Sequence, residues 1–161
     1  MSMDAAHPRV LACLGRALSL ELTSVQQYMT QASLVELWGD AESAERFRRE
    51  TVEELRHAES LIQRMLALGV APAASQLRPV THAADLPGLL QHNLRLEQDL
   101  IQLYRDAVRF CALIGDADSG ELFAGLLADE EHHARELESW HRSLPSHADP
   151  YAAWVVERAT F

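Results

Sequence analysis

The chain has 161 residues, 48% of them hydrophobic, and a formal net charge of −10. That length suits one domain with a single core, and the hydrophobic content excludes a disordered chain. The acidic balance argues against nucleic acid, whose phosphates need Lys and Arg, and favours cations instead. Helical spacing begins at once: Pro8 suits a first turn, and Val10, Leu11, Leu14, Leu18, Val25, Tyr28 and Leu34 recur along one face as far as Trp38. Gly39-Asp40 then supplies a left-handed C-cap and an N-cap in succession. A second helix is expected from Ala41 to Leu68, where Gly69 stops it. Residues 69–85, with Pro72 and Pro79, show no periodicity and read as a connector.

Asp85 is the expected N-cap of a third helix, with Pro87 in its first turn, reaching Ile114. Gly115-Asp116 repeats the earlier turn, and a fourth helix runs to Ser143. The tail, residues 144–161, is punctuated by Pro145 and Pro150, and a short fifth helix is expected over Tyr151 to Arg158. No segment alternates with period two. The expected fold is therefore all-α: one domain, 1–161, built from hairpins at 8–68 and 86–143 and closing into a four-helix bundle. The chain shows neither a signal-peptide pattern nor an apolar run near the ~18 residues of a membrane span, so a cytoplasmic location is expected and no membrane partner. The two cysteines, Cys13 and Cys111, are far apart in sequence and read as free buried thiols.

Chemistry enters with Glu54-Leu55-Arg56-His57 and Glu130-Glu131-His132-His133. A three-residue step on a helix puts carboxylate and imidazole on one face, where both can grip one metal ion. Glu138-x-x-His141 has the same spacing and reads as coincidence. What separates the first two is register: 130 − 54 and 133 − 57 are both 76, and sliding the sequence by 76 aligns 14–61 with 90–137, identical at 17 of 48 positions. The matches include Glu21/Glu97, Tyr28/Tyr104, Gly39/Gly115, Asp40/Asp116 and Phe47/Phe123. The chain is two copies of one hairpin, each with a lone Glu 33 residues before its Glu-x-x-His.

At about 1.5 Å per residue, Glu21 climbs roughly 27 Å to the turn, and Glu54 and His57 lie 21–26 Å down the return leg. The three side chains share a level, as do Glu97, Glu130 and His133. Packing the hairpins about a pseudo-two-fold brings four carboxylates and two imidazoles together. A two-fold along the bundle needs only a short link between hairpins; one perpendicular to it needs about 37 Å, which ~16 extended residues cover. The long connector favours the perpendicular axis. Four buried carboxylates repel at several kcal/mol per unpaired charge, and no basic partner repeats at offset 76, since Arg48 and Arg49 align with Ala124 and Gly125. Two divalent cations balance the charge, and oxygen-rich ligands with one imidazole each suit iron or manganese better than zinc.

With Leu20-Glu21-Leu22, Gln27-Tyr28, Trp38-Gly39, Glu54-Leu55-Arg56-His57-Ala58, Leu96-Glu97 and Asp129-Glu130-Glu131-His132-His133 in hand, the chain resembles the ferritin-like superfamily and, within it, the bacterioferritins. The resemblance implies two irons per subunit, bridged by Glu54 and Glu130. Glu21 with His57, and Glu97 with His133, complete one iron each, and Tyr28 stands beside the centre. It implies ferroxidation of Fe(II) by O₂ or peroxide and storage of Fe(III) in a hollow homo-oligomer of 24 subunits. Leu55 stands where haem-binding members carry a methionine ligand, so haem is not expected; Arg49 replaces a histidine on the iron route. Tyr104 reads as core packing with its hydroxyl bonded locally, and His132 as a surface or supporting residue. Two readings stand beside storage: a di-iron or di-manganese oxidase or peroxidase, and a subunit that co-assembles with a haem-bearing paralogue.

Overall fold

The computed structural model describes residues 6–145; the fifth helix expected over Tyr151–Arg158 and the tail's Trp154, Val155, Val156 and Phe161 lie outside them. Among the described residues the chain forms four helices, α1 (Pro8–Leu37), α2 (Ala41–Ala67), α3 (Leu86–Ile114) and α4 (Ala117–Ser143). Their ends follow from local chemistry. Asp40 and Asp116 accept the Ser43 and Ser119 amides at 2.9 and 3.1 Å, one register apart in the two copies. Asp85 does the same for Gly88 at the start of α3. His7, an N-cap not foreseen, accepts the Arg9 amide at 3.1 Å through Nδ1. Gly39 and Gly115, at φ 85° and 74°, supply the left-handed residue that lets each hairpin reverse.

Each hairpin packs chiefly on itself, α1 on α2 and α3 on α4, and α1 meets α3 along the seam between them. Tyr28 of α1 faces Glu97 of α3, and Tyr104 faces Glu21, so these two helices run antiparallel. That places the pseudo-two-fold across the bundle, as the long connector requires. The apolar core is split into two clusters, one around Leu14, Leu61, Tyr104 and Phe123, the other around Tyr28, Phe47, Leu89 and Trp140. The ring pairs repeat as well: Tyr28–Phe47 and Tyr104–Phe123 both have centroids 6.0 Å apart. Burying each such side chain contributes about 1.5–3 kcal/mol. The polar centre lies between the two clusters, held in a layer neither can fill.

The connector, residues 69–85, is tied to α1 at successive turns. Ser19 Oγ accepts the Gln76 amide, Thr23 Oγ1 that of Arg78, and Gln27 Oε1 the Thr81 hydroxyl, at 3.1, 3.2 and 2.9 Å. Positions 19, 23 and 27 share one helical face. That ladder gives an aperiodic segment hydrogen-bond partners along its length. Among the described residues no helix is long and apolar enough to cross a membrane.

Candidate metal centre

Each helix delivers its chemical groups at mid-length: Glu21 from α1, Glu54 and His57 from α2, Glu97 from α3, Glu130 and His133 from α4. All four glutamates are 0% exposed, and His57 and His133 are 7% and 3% exposed. They form two overlapping groups. One ligand atom each from Glu21, Glu54, His57 and Glu130 lies within 4.8 Å of the others, and so does one each from Glu54, Glu97, Glu130 and His133. Glu54 and Glu130 belong to both, the property a bridging carboxylate needs.

The imidazoles are oriented alike. His57 Nδ1 faces Glu130, Glu54 and Glu21 at 2.9, 3.4 and 3.7 Å. His133 Nδ1 faces Glu130 and Glu54 at 3.2 and 3.3 Å. The outward nitrogens meet further carboxylates: His133 Nε2 lies 2.9 Å from Glu53, and His57 Nε2 lies 3.4 Å from Asp129. A carboxylate on the far nitrogen fixes the ring and raises its basicity, as behind many metal-bound histidines. The two rings stack with centroids 5.7 Å apart.

Without a cation, this group is frustrated. Burial, then repulsion from Glu97 and Glu21, pushes Glu54 up to about 8. Glu97 and Glu130 are raised by burial and by facing carboxylates. Burial opposes a charge on His57 and His133, but the surrounding carboxylates outweigh it and raise both. Glu21 is lowered: burial again opposes its charge, and His57 and Glu54 overcome it. Protons are thus shared where positive charge is wanted. Although several lie within ion-pair range of one another, Glu21 Oε2, Glu97 Oε2, Glu130 Oε1, both Glu54 oxygens and His57 Nδ1 are buried and make no hydrogen bond of acceptable direction. Such atoms cost about 1–3 kcal/mol each, and they converge on the same two spaces. The donor set is hard oxygen with one nitrogen per position, which fits iron or manganese.

Tyr28 lies at the centre, donating to Glu97 Oε1 at 2.6 Å. Tyr104 corrects the sequence reading: its hydroxyl is bonded across the bundle to Glu21, not locally. The α1–α3 pairing that brings it there is a tertiary contact invisible along the chain. Glu53 and Asp129 were also missed. They do align at offset 76, but as a conservative pair, so a search for identities passes over them. Glu50, with Oε2 3.8 Å from His133 Nε2, has no counterpart, because Leu126 occupies its register position. His132 pairs with Glu136 on the surface, and Glu138 and His141 contact Arg142 and Gln91, away from the centre. Leu55 is 48% exposed on the outer face of α2, and both cysteines are free. A groove of about 430 Å³ between α2 and α4 reaches His57, Glu53 and Asp129 from the surface.

The sequence matches the family model of the ferritin-like domain over residues 11–146. It is 37% identical over 131 residues to a bacterioferritin of Rhodobacter capsulatus, covering 81% of each chain. It is 35% identical to one of Brucella melitensis, covering 83% of each. Among solved structures, Rhodobacter capsulatus bacterioferritin superposes with a TM-score of 0.80 at 36% identity, over 83% of this chain and 84% of that one. That structure is described with a metal-free dinuclear site and a haem iron. Mycobacterium tuberculosis bacterioferritin gives a TM-score of 0.80 at 30% identity, with the same coverage.

Proposed function

The chain belongs to the bacterioferritin family of ferritin-like proteins, and from that premise we propose that its buried carboxylate–histidine group is a dinuclear ferroxidase centre. Its function is iron storage. The observation that carries the finer reading is the pair of overlapping groups sharing Glu54 and Glu130. Glu21 and His57 complete one position, Glu97 and His133 the other, and Tyr28 steadies Glu97. The reaction takes one electron from each of two Fe(II) ions and passes both to one acceptor. With O₂ and two protons it gives hydrogen peroxide; with hydrogen peroxide and two protons it gives two waters. Pairing the electrons avoids one-electron oxygen radicals.

The residues do the remaining work. Four ionised carboxylates neutralise the charge of two divalent ions, which would displace the protons held by Glu54, Glu97 and Glu130. Asp129 holds His57, and Glu53 holds His133, from behind. The groove beside His57 is lined by acidic Glu53, Glu121 and Asp129 against one basic residue, Arg56, a net negative lining that suits passage of a cation. Storage implies a closed shell with these negative faces available to incoming iron. By likeness to the family we propose 24 subunits, alone or with a haem-bearing paralogue.

Aerobic Fe(II) oxidation by the purified chain, followed by stopped-flow absorbance, tests this reading. Glu54→Ala and Glu130→Ala should each abolish the fast phase, since each removes a ligand common to both positions, whereas Glu138→Ala should leave it intact. Equal damage from Glu138→Ala and Glu130→Ala would overturn the assignment by register.

A further inference from the structure

The two tyrosines repeat at offset 76, but the layer behind them does not. Beside Tyr28 lie three buried amides: Asn93 Oδ1 accepts from both Gln27 and Gln31 at 2.8 Å, and Asn93 Nδ2 donates to Gln31 at 2.6 Å. At the register positions of Gln27, Gln31 and Asn93 the other copy carries Leu103, Ala107 and Ala17. Tyr104 therefore sits in an apolar layer with Ala107, Cys111 and Phe123. A phenylalanine would fill that layer with no polar atom to satisfy. The hydroxyl nonetheless is there, 0% of the residue is exposed, and it donates to Glu21 Oε1.

The consequence for Glu21 is geometric. Tyr104 engages Oε1 and leaves Oε2 buried without a partner, and Tyr28 does the same to Glu97, whose Oε2 is likewise unpartnered. A hydrogen bond on one carboxylate oxygen fixes the rotation of the group and directs the other at the metal space.

We propose that Tyr104 is the positioning residue for the metal position held by Glu21 and His57, matching Tyr28 at the position of Glu97 and His133. Each terminal glutamate is then set by a tyrosine from the opposite hairpin, so neither metal position is complete within one hairpin. The inference deepens the dinuclear reading and rests on it.

Cobalt(II) titration of the metal-free protein, followed by its visible d–d bands, reads the two positions separately from activity. The unmodified chain should take up two equivalents. Tyr104→Phe should weaken one of them about tenfold or more and alter its bands while leaving the other unchanged, a loss of the size seen when support behind a ligand is removed. In a Glu21→Ala background Tyr104→Phe should have no further effect, whereas in a Glu97→Ala background its effect should persist. Two unchanged affinities and unchanged bands in Tyr104→Phe would overturn the positioning role alone. So would an equal loss with and without Glu21, which marks a packing effect. Failure of the unmodified chain to bind two equivalents would overturn the dinuclear reading and this one together. Tyr104→Leu, which also fills the apolar layer without a hydroxyl, repeats the measurement should the phenylalanine variant not fold.

Discussion

Glu54 is the side chain on which the opposing forces at the centre meet. Its carboxyl moves from 4.5 up to about 8 on folding, so the folded chain holds a proton there that the unfolded chain releases. Stability from that proton is complete below about 4.5 and is lost as pH rises through about 8. Glu97 and Glu130 are raised and act in the same sense, while the raised histidines keep their contribution to higher pH. Glu21 is lowered and acts oppositely, losing its contribution as pH falls below 4.5 through its folded value. Metal-free protein should therefore melt at a lower temperature at pH about 8 than at pH about 5, and Glu54→Gln should reduce the difference. Calorimetry in chelator checks this, and a melting temperature that rises over that window would refute the assignment. Divalent metal should remove the trend, because cations replace the shared protons.

Leu55 makes a second prediction at the same scale. Half exposed on α2 and without a donor atom, it offers no axial ligand. The purified protein should show no Soret band even when produced with excess haem, and Leu55→Met should restore some binding. A tightly held b-type haem at a two-fold between subunits of the unmodified chain would contradict this.

Among the elements, the connector and α1 form the least repeated part of the structure. Residues 76–81 hang on Ser19, Thr23 and Gln27, and Gln27 is itself held by Asn93 of α3. The amide cluster thus ties the connector to the seam between hairpins. Asn93→Ala removes the shared acceptor of two buried amides and should lower stability by about 3 kcal/mol, while Thr81→Ala, at the edge, should cost about 1 kcal/mol. Denaturant unfolding of the metal-free chain separates the two, and equal costs would place the anchor in the connector instead of the amides.

For the whole molecule, two halves of one hairpin produce a nearly symmetric centre inside an acidic chain of net charge −10. Exposed Leu37 and Trp38 at one hairpin tip and Leu113 and Ile114 at the other repeat at offset 76. Among the described residues the interior of the bundle is filled by its two core clusters and the polar layer between them, so storage requires assembly. Light scattering should give a mass on the order of hundreds of kilodaltons, as for a closed symmetric shell. A stable monomer or isolated dimer at micromolar concentration, loaded with iron, would sink the shell while leaving the dinuclear centre standing.

Helix boundaries, the two turns and the six candidate ligands were legible along the chain because they depend on local chemistry and a period. Gly39-Asp40 and Gly115-Asp116 cap helices wherever they occur, and a Glu-x-x-His step faces one way on any helix. Register alone distinguishes Glu54/His57 and Glu130/His133, which repeat at offset 76, from Glu138/His141. Tertiary structure alone decided how the copies meet. Tyr104 reaches Glu21 across 83 residues of sequence, and Glu53 and Asp129 support the histidines of the opposite hairpin. Both kinds of pairing depend on the antiparallel packing of α1 on α3 and the facing of α2 and α4. A helical period says which face a side chain occupies; which oxygen of Glu21 is tied and which is left free is set only when the second hairpin closes over the first.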